Sequence, residues 1–174
     1  MMQGLQAMKD SAALLVYWDG EASDISWPEP CIVEYVTNGQ GGINSMSKEA
    51  VNAMIADQDM SVHDLISIGN IRKKYPPQTS TEKTVMQTVI GDMMSVYPSE
   101  SYGIIFGSHG SGWLPTITGT RSIGQDGGRY SSDTALIPEL AEVLRTVNPQ
   151  KFDFVLFDAC MMAVSYTHLT LPTN

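Results

Sequence analysis

Four segments of the chain concentrate branched and aromatic side chains, and each is predicted to be a buried strand. They are residues 12–18, 31–36, 102–106 and 152–157. Three of these segments are almost continuously apolar, which is typical of strands covered on both faces, as in a parallel sheet. The second segment alternates with Glu34 and is predicted to be an edge strand.

Between these segments the apolar residues recur at helical spacing. The predicted helices cover residues 47–55, with Ser47 as the N-cap, residues 80–97, with a methionine-rich stripe expected in the core, and residues 137–144. Helices that alternate with strands through crossover connections imply right-handed units that cover a mostly parallel sheet. The predicted architecture is therefore a three-layer α/β/α sandwich.

Length and composition are those of a soluble globular protein with one domain, since the 174 residues are 43% hydrophobic and 17% charged. The formal net charge of -9 argues against a nucleic-acid partner, because an acidic surface repels phosphate. The longest purely apolar run, residues 12–18, is far shorter than the ~20 residues that a membrane-spanning helix needs. No secretory signal is visible at the start of the chain.

The two cysteines, Cys31 and Cys160, form neither a disulfide framework nor a metal-binding spacing. No carboxylates recur at calcium-loop spacing, so neither a metal nor another cofactor is predicted. Cys31 lies inside a predicted strand and is expected to be a buried, inert side chain. Cys160 directly follows a predicted strand and is the more interesting of the two.

A histidine and a cysteine follow two of the predicted strands, His109 after the third and Cys160 after the fourth. Because the carboxyl ends of parallel strands meet at one edge of a sheet, both side chains are expected at that edge. There the imidazole can take the thiol proton, which creates a nucleophile, and later protonate a leaving amine. The backbone amides of Gly110 and Cys160 are candidate oxyanion donors. His63 and His168 lie outside any such context.

An apolar strand that ends in His-Gly, followed by one that ends in Asp-x-Cys, resembles the caspase-like cysteine peptidases, which include caspases, legumains, gingipains and clostripains. Residues 108–115, 121–126 and 157–162 are most similar to segments of the clostripain family. His109 precedes Cys160 by about 50 residues, as in caspases. The resemblance covers most of the chain, from about Leu14 to Met162.

This resemblance implies a caspase-like fold and a cysteine endopeptidase with His109 as general acid/base, Cys160 as nucleophile and a thioester acyl-enzyme. Asp158 would line the pocket that binds an arginine or lysine of a peptide or protein substrate. A structural alternative is that Asp158 caps a following helix. The resemblance also implies a location outside the cytoplasm, in the cell envelope or secreted.

Clostripain-like proteins are often cut after a basic residue between the histidine and the cysteine. Residues 113–132 are predicted to be a long loop, and loops of this length are usually functional or mobile. Arg121 and Arg129 are the candidate self-processing sites in this loop, although a structural role for Arg121 is an equal alternative.

Against the family pattern, residues 1–163 are predicted to be a partial caspase-like domain, incomplete at both ends, and residues 164–174 a non-native tail. The chain as it stands is therefore expected to be inactive. Two alternatives to a basic-specific endopeptidase stay open. One is an inactive caspase-like domain that binds partners or peptides. The other is a different thiol hydrolase or a caspase-like peptidase of different specificity.

Overall fold

The computed structural model describes residues 13–19, 29–57, 60–108, 122–126, 133–148 and 152–159. Its elements are β1 (Ala13–Trp18), β2 (Cys31–Val36), α1 (Lys48–Ala56), α2 (Val62–Ile68), β3 (Asn70–Lys74), α3 (Lys83–Val96), β4 (Gly103–Ser108), β5 (Ser122–Asp126), β6 (Asp133–Leu136), α4 (Ile137–Val147) and β7 (Phe154–Ala159). The chain divides into two compact units, Met1–Gln78 and Thr79–Asn174. The class is mixed α/β, and no helix in the described ranges is long and apolar enough to cross a membrane.

The first unit contains an antiparallel sheet in the order β1-β2-β3. Because β2 pairs on both sides, it is the central strand of this sheet, and the prediction of an edge strand is wrong. The polar Glu34 prompted that prediction. In the folded unit Glu34 is only 7% exposed, and Arg72 on β3 lies 3.6 Å from its carboxylate. The cation on the neighbouring strand is the reason that a central strand tolerates an acidic residue.

One face of this sheet carries the core of the first unit. The core residues are Cys31, Val33, Tyr35, Ile43, Val51 and Ile66. Tyr35 satisfies its buried hydroxyl by donating a hydrogen bond to the carbonyl of Leu65 at 2.8 Å and accepting one from the indole of Trp18 at 3.3 Å. Trp18 belongs to the neighbouring strand β1 and Leu65 to α2, so this hydroxyl ties the sheet to α2.

Asn44 and Gly69 fix the connections around β2. Asn44 adopts a left-handed conformation with φ 49, which asparagine tolerates better than most residues. Its side-chain amide donates to the carbonyls of Glu34 at 3.2 Å and Ile68 at 2.8 Å, so one residue joins β2 to the end of α2. At Gly69 a Cβ atom would lie 2.0 Å from Cγ1 of Val33, and only glycine permits this close approach.

The second unit contains the parallel pair β4–β7, with Gly103 opposite Phe154 and Ser108 opposite Ala159. Helices α3 and α4 supply its core on one face. The core residues are Met86, Ile90, Ala135, Leu140 and Val143, and the strand residues packed against them include Ile104, Phe106 and Phe157. The predicted core position of the α3 methionines is confirmed for Met86, which is 9% exposed.

The other face of β4–β7 is exposed, although the apolar sequence of these strands predicted burial on both faces. Ile105, Phe154 and Leu156 are 53%, 54% and 52% exposed. The reason is that α3 and α4 pack on the same face. Among the described strand pairs, β4–β7 is parallel and the others are antiparallel, so the expected mostly parallel sheet is seen here only in this pair.

The predicted 113–132 loop contains strand structure. Strand β5 lies within it and pairs antiparallel with β6, with Ser122 opposite Leu136 and Asp126 opposite Asp133. Ala135 of β6 is 2% exposed and belongs to the core of the second unit. The prediction of a continuous loop is therefore wrong over β5. Short polar strands of this kind carry too little apolar alternation to be recognised from sequence.

The three predicted helices are confirmed as α1, α3 and α4, with shifts of a few residues at their ends. Ser47 is the N-cap of α1, as predicted, and its side chain accepts a hydrogen bond from the amide of Ala50. Helix α2 was not predicted, although Ser61 and Asp64 form a complete capping box at its start. That signal was present in the sequence.

We expect Arg72→Ala to lower the free energy of unfolding by about 1–2 kcal/mol, because it leaves the buried carboxylate of Glu34 without its cation, and because solvent around the partly exposed Arg72 already screens the pair. Urea denaturation measures the change. The matched control is Lys74→Ala, which breaks the exposed pair with Glu29 at 3.2 Å and should change stability by less than about 0.5 kcal/mol. Equal effects of the two substitutions would contradict a stabilising role for the Glu34–Arg72 pair.

Candidate active site

The carboxyl ends of β4 and β7 lie side by side. The last paired residues of the ladder are Ser108 and Ala159, which stand opposite one another. His109 and Cys160 directly follow them in the sequence and lie outside the described residues, as do Gly110, Arg121 and Arg129. The structure thus brings together the two strands that precede the predicted catalytic pair, in parallel and with their ends at the same level.

Aromatic stacking holds these two strands in register on the helix-covered face. The rings of Phe106 and Phe157 are opposite each other in the ladder, with centroids 5.7 Å apart and an interplanar angle of 19°. Helices α3 and α4 cover the stack, and Lys83 joins them through an ion pair with Glu142 at 2.5 Å. The hydrogen bond and the charge of Lys83 lower the pKa of the Glu142 carboxyl. Both strand ends are therefore backed by one packed helical layer.

Asp158 lies inside β7, opposite Gly107, and its side chain is exposed. Alternation along the strand puts it on the face turned away from α3 and α4, since its neighbour Phe157 packs against those helices. Ala159, the residue after Asp158, is still part of the strand. No other described side chain forms a salt bridge with Asp158.

Gly107 is a residue of this site that the sequence did not single out. It precedes His109 by two positions, just as Asp158 precedes Cys160 by two positions. Equal offsets from the ends of two parallel strands put residues opposite one another when the ends are level. That equal spacing was the available signal, but it has meaning only once the register of β4 and β7 is known.

Cys31 belongs to the core of the first unit and is 2% exposed. Burial raises the pKa of the Cys31 thiol, and the nearby positive charge of Lys74 opposes this effect only in part. A raised pKa keeps the sulfur protonated at neutral pH, and a thiol is a poor nucleophile. The prediction that Cys31 is buried and inert agrees with this environment. Within the described ranges, no group of three or more His, Cys, Asp or Glu side chains could hold a metal ion.

The family model described as the clostripain family matches residues 1–167 of the chain. The match includes both strands of the parallel pair and the positions of His109, Asp158 and Cys160. No curated protein and no solved structure matches the chain.

We expect iodoacetamide to leave Cys31 unmodified in the native protein at neutral pH, because the thiol is buried and its pKa is raised. Mass spectrometry of the peptide that contains Cys31 measures the modification. The control is the same protein in guanidinium chloride, where unfolding exposes the thiol and labelling should go to completion. Labelling of native Cys31 at the rate of a free cysteine would show that the core of the first unit opens readily.

Proposed function

The chain belongs to the clostripain family, and on that premise we propose that it is a cysteine endopeptidase with His109 and Cys160 as its catalytic pair. Family membership implies a cysteine peptidase, which is a hydrolase that acts on peptides or proteins. The observation that carries the choice of this pair is the parallel register of β4 and β7, in which Ser108 stands opposite Ala159. Each of these two residues directly precedes one member of the pair.

Chain connectivity supports the proposal that the imidazole of His109 and the thiol of Cys160 are close enough to form a hydrogen bond. Neighbouring strands lie about 4.8 Å apart, and consecutive Cα atoms are about 3.8 Å apart, so covalent geometry allows at most about 12 Å between the Cα atoms of two residues that directly follow a paired position such as Ser108 and Ala159. This bound is of the order that an imidazole, a thiol and the hydrogen bond between them span. It holds whatever path the chain takes after Ser108 and Ala159.

The proposed reaction begins with transfer of the Cys160 thiol proton to the imidazole of His109. The thiolate attacks the carbonyl carbon of the scissile bond, and the backbone amides of Gly110 and Cys160 stabilise the oxyanion. The imidazolium then protonates the leaving amine, the C–N bond breaks, and a thioester with Cys160 remains. Water, deprotonated by His109, hydrolyses the thioester and restores the thiol.

We assign specificity for a substrate arginine or lysine to Asp158. Its exposed carboxylate is available to a guanidinium, which can form two parallel hydrogen bonds with it, or to an ammonium. The proposed setting is a three-layer α/β/α sandwich with a mostly parallel sheet, in which β4 and β7 are neighbours. We further propose a location outside the cytoplasm and, from the net charge of -9, no nucleic-acid partner.

In the full-length protein, we expect hydrolysis of arginyl and lysyl fluorogenic peptides, little hydrolysis of an aspartyl peptide, and none of any peptide by Cys160→Ala. Asp158→Asn should lower kcat/KM for the arginyl peptide by at least about tenfold, because a charge-assisted hydrogen bond is lost. Asp153→Asn, at the residue that directly precedes β7, is the matched control and should leave selectivity unchanged.

Three outcomes of this assay decide among the alternatives. Activity that survives Cys160→Ala would rule out Cys160 as the nucleophile. Equal turnover of the aspartyl peptide would remove Asp158 from the specificity pocket and favour a caspase-like peptidase of another specificity. Absence of hydrolysis by a folded full-length protein, with retained peptide binding, would favour the inactive binding domain.

We also propose that the full-length protein cuts itself after Arg121 or Arg129. In the sequence, Arg121 directly precedes β5 and Arg129 falls between β5 and β6. We favour a cut after Arg129. This cut would leave β5 on one fragment and β6 on the other, and the pairing of the two strands would hold the fragments together. Connections between strands are also the preferred sites of proteolytic cuts.

Intact masses of the purified full-length protein and of its Cys160→Ala variant measure this self-processing. We expect two fragments from the active protein and one uncut chain from Cys160→Ala. Arg121→Ala and Arg129→Ala serve as mutual controls, since only one of them should abolish the cut. Identical masses for the active protein and Cys160→Ala would contradict self-processing.

A further inference from the structure

The face of β4–β7 that is turned away from α3 and α4 changes from apolar to acidic towards the carboxyl ends of the strands. Ile105 lies opposite Leu156, and both are more than half exposed, at 53% and 52%. The next pair on this face is Gly107 and Asp158, also exposed. The apolar pair Ile105 and Leu156 is therefore followed on this face by a glycine, Gly107, and a carboxylate, Asp158.

The two glycines of β4 differ in their surroundings. A Cβ atom on Gly103 would lie 2.2 Å from the ring of Phe154, so that ring covers the start of the strand. A Cβ atom on Gly107 would meet no atom within 4 Å among the described residues. Of the glycines described, those with positive φ are Gly39 and Gly41, so the backbone at Gly107 does not require glycine. Glycine inside a strand weakens it and often marks a close approach by a ligand.

We infer that Gly107 determines substrate specificity by leaving open a notch for a long cationic side chain. The notch consists of Gly107, Asp158, Ile105 and Leu156. The alkyl stem of the ligand side chain passes over Gly107, its charged end pairs with Asp158, and Ile105 and Leu156 form an apolar base. The inference rests on the proposed function, since the ligand is the substrate residue whose carbonyl is cut.

The chemistry of the notch favours arginine and lysine over other residues. Both carry apolar stems that pack on hydrophobic surface and charged ends that stay near water. Successive pairs on one face of a strand are about 6.6 Å apart, which is comparable with the length of such a stem. A short acidic or apolar side chain would leave either the carboxylate or the apolar base without a partner. Charge complementarity and reach therefore point to the same ligand.

The test is Gly107→Val in the full-length protein. Valine is favoured in strands and its Cβ atom would meet no described atom within 4 Å, so the thermal midpoint of unfolding should not fall. We expect kcat/KM for the arginyl peptide to fall at least about tenfold, mostly through KM, because the added side chain fills the space of the stem. Gly91→Ala is the matched control. It adds a methyl group at an equally open glycine of α3 and should leave the kinetics unchanged.

Binding of agmatine, a guanidinium on a four-carbon chain, tests the notch without peptide hydrolysis. By calorimetry on the Cys160→Ala background, we expect saturable binding that Gly107→Val and Asp158→Asn abolish and that Gly91→Ala preserves. Unchanged binding or unchanged KM in Gly107→Val, or no agmatine binding at all, would overturn the notch even if peptides are hydrolysed through Cys160. Agmatine binding at the notch by a protein that hydrolyses no peptide would support the notch and refute the endopeptidase.

Discussion

Stacking of Phe106 on Phe157, under the cover of α3 and α4, is the contact on which the candidate site depends. A two-stranded sheet is marginal alone, and a parallel pair has no hairpin turn to hold its strands together. Packing against the helices on one face replaces that turn, because the partly buried rings fix which residue of β4 stands opposite which residue of β7. The level ends of the two strands, Ser108 and Ala159, follow from this register.

The same alternation separates structural residues from residues available for chemistry. Ile104 and Phe106 of β4 and Phe157 of β7 pack against the core formed with the helices, and the residues next to them in the strands face the other way. Asp158 and Gly107 are on that second face. A one-residue slip of β7 against β4 would move Asp158 away from Gly107 and bury the carboxylate or expose Phe157. Specificity in the proposed enzyme thus depends on the same packing that stabilises the second unit.

The first unit shows how a neighbouring strand can provide a buried polar residue with a partner. Glu34 is compatible with an exposed edge when β2 is considered alone. Once β3 brings Arg72 to 3.6 Å, the same residue lies in a buried central strand. The partner is distant in sequence and sits in β3, a strand of exposed residues that no apolar pattern predicts. Tyr35 and Asn44 likewise find their partners on elements other than their own.

The sequence by itself determined the apolar strands, the three long helices, the inert character of Cys31 and the positions of His109 and Cys160 at the ends of two strands. These features depend on local periodicity and residue chemistry, which each segment carries alone. Only the tertiary structure decided that β2 is central, that β5 pairs with β6 and that Gly107 stands opposite Asp158. Strand direction, register and the covered face depend on the partner strand and the helices packed on it, and no single segment contains that information.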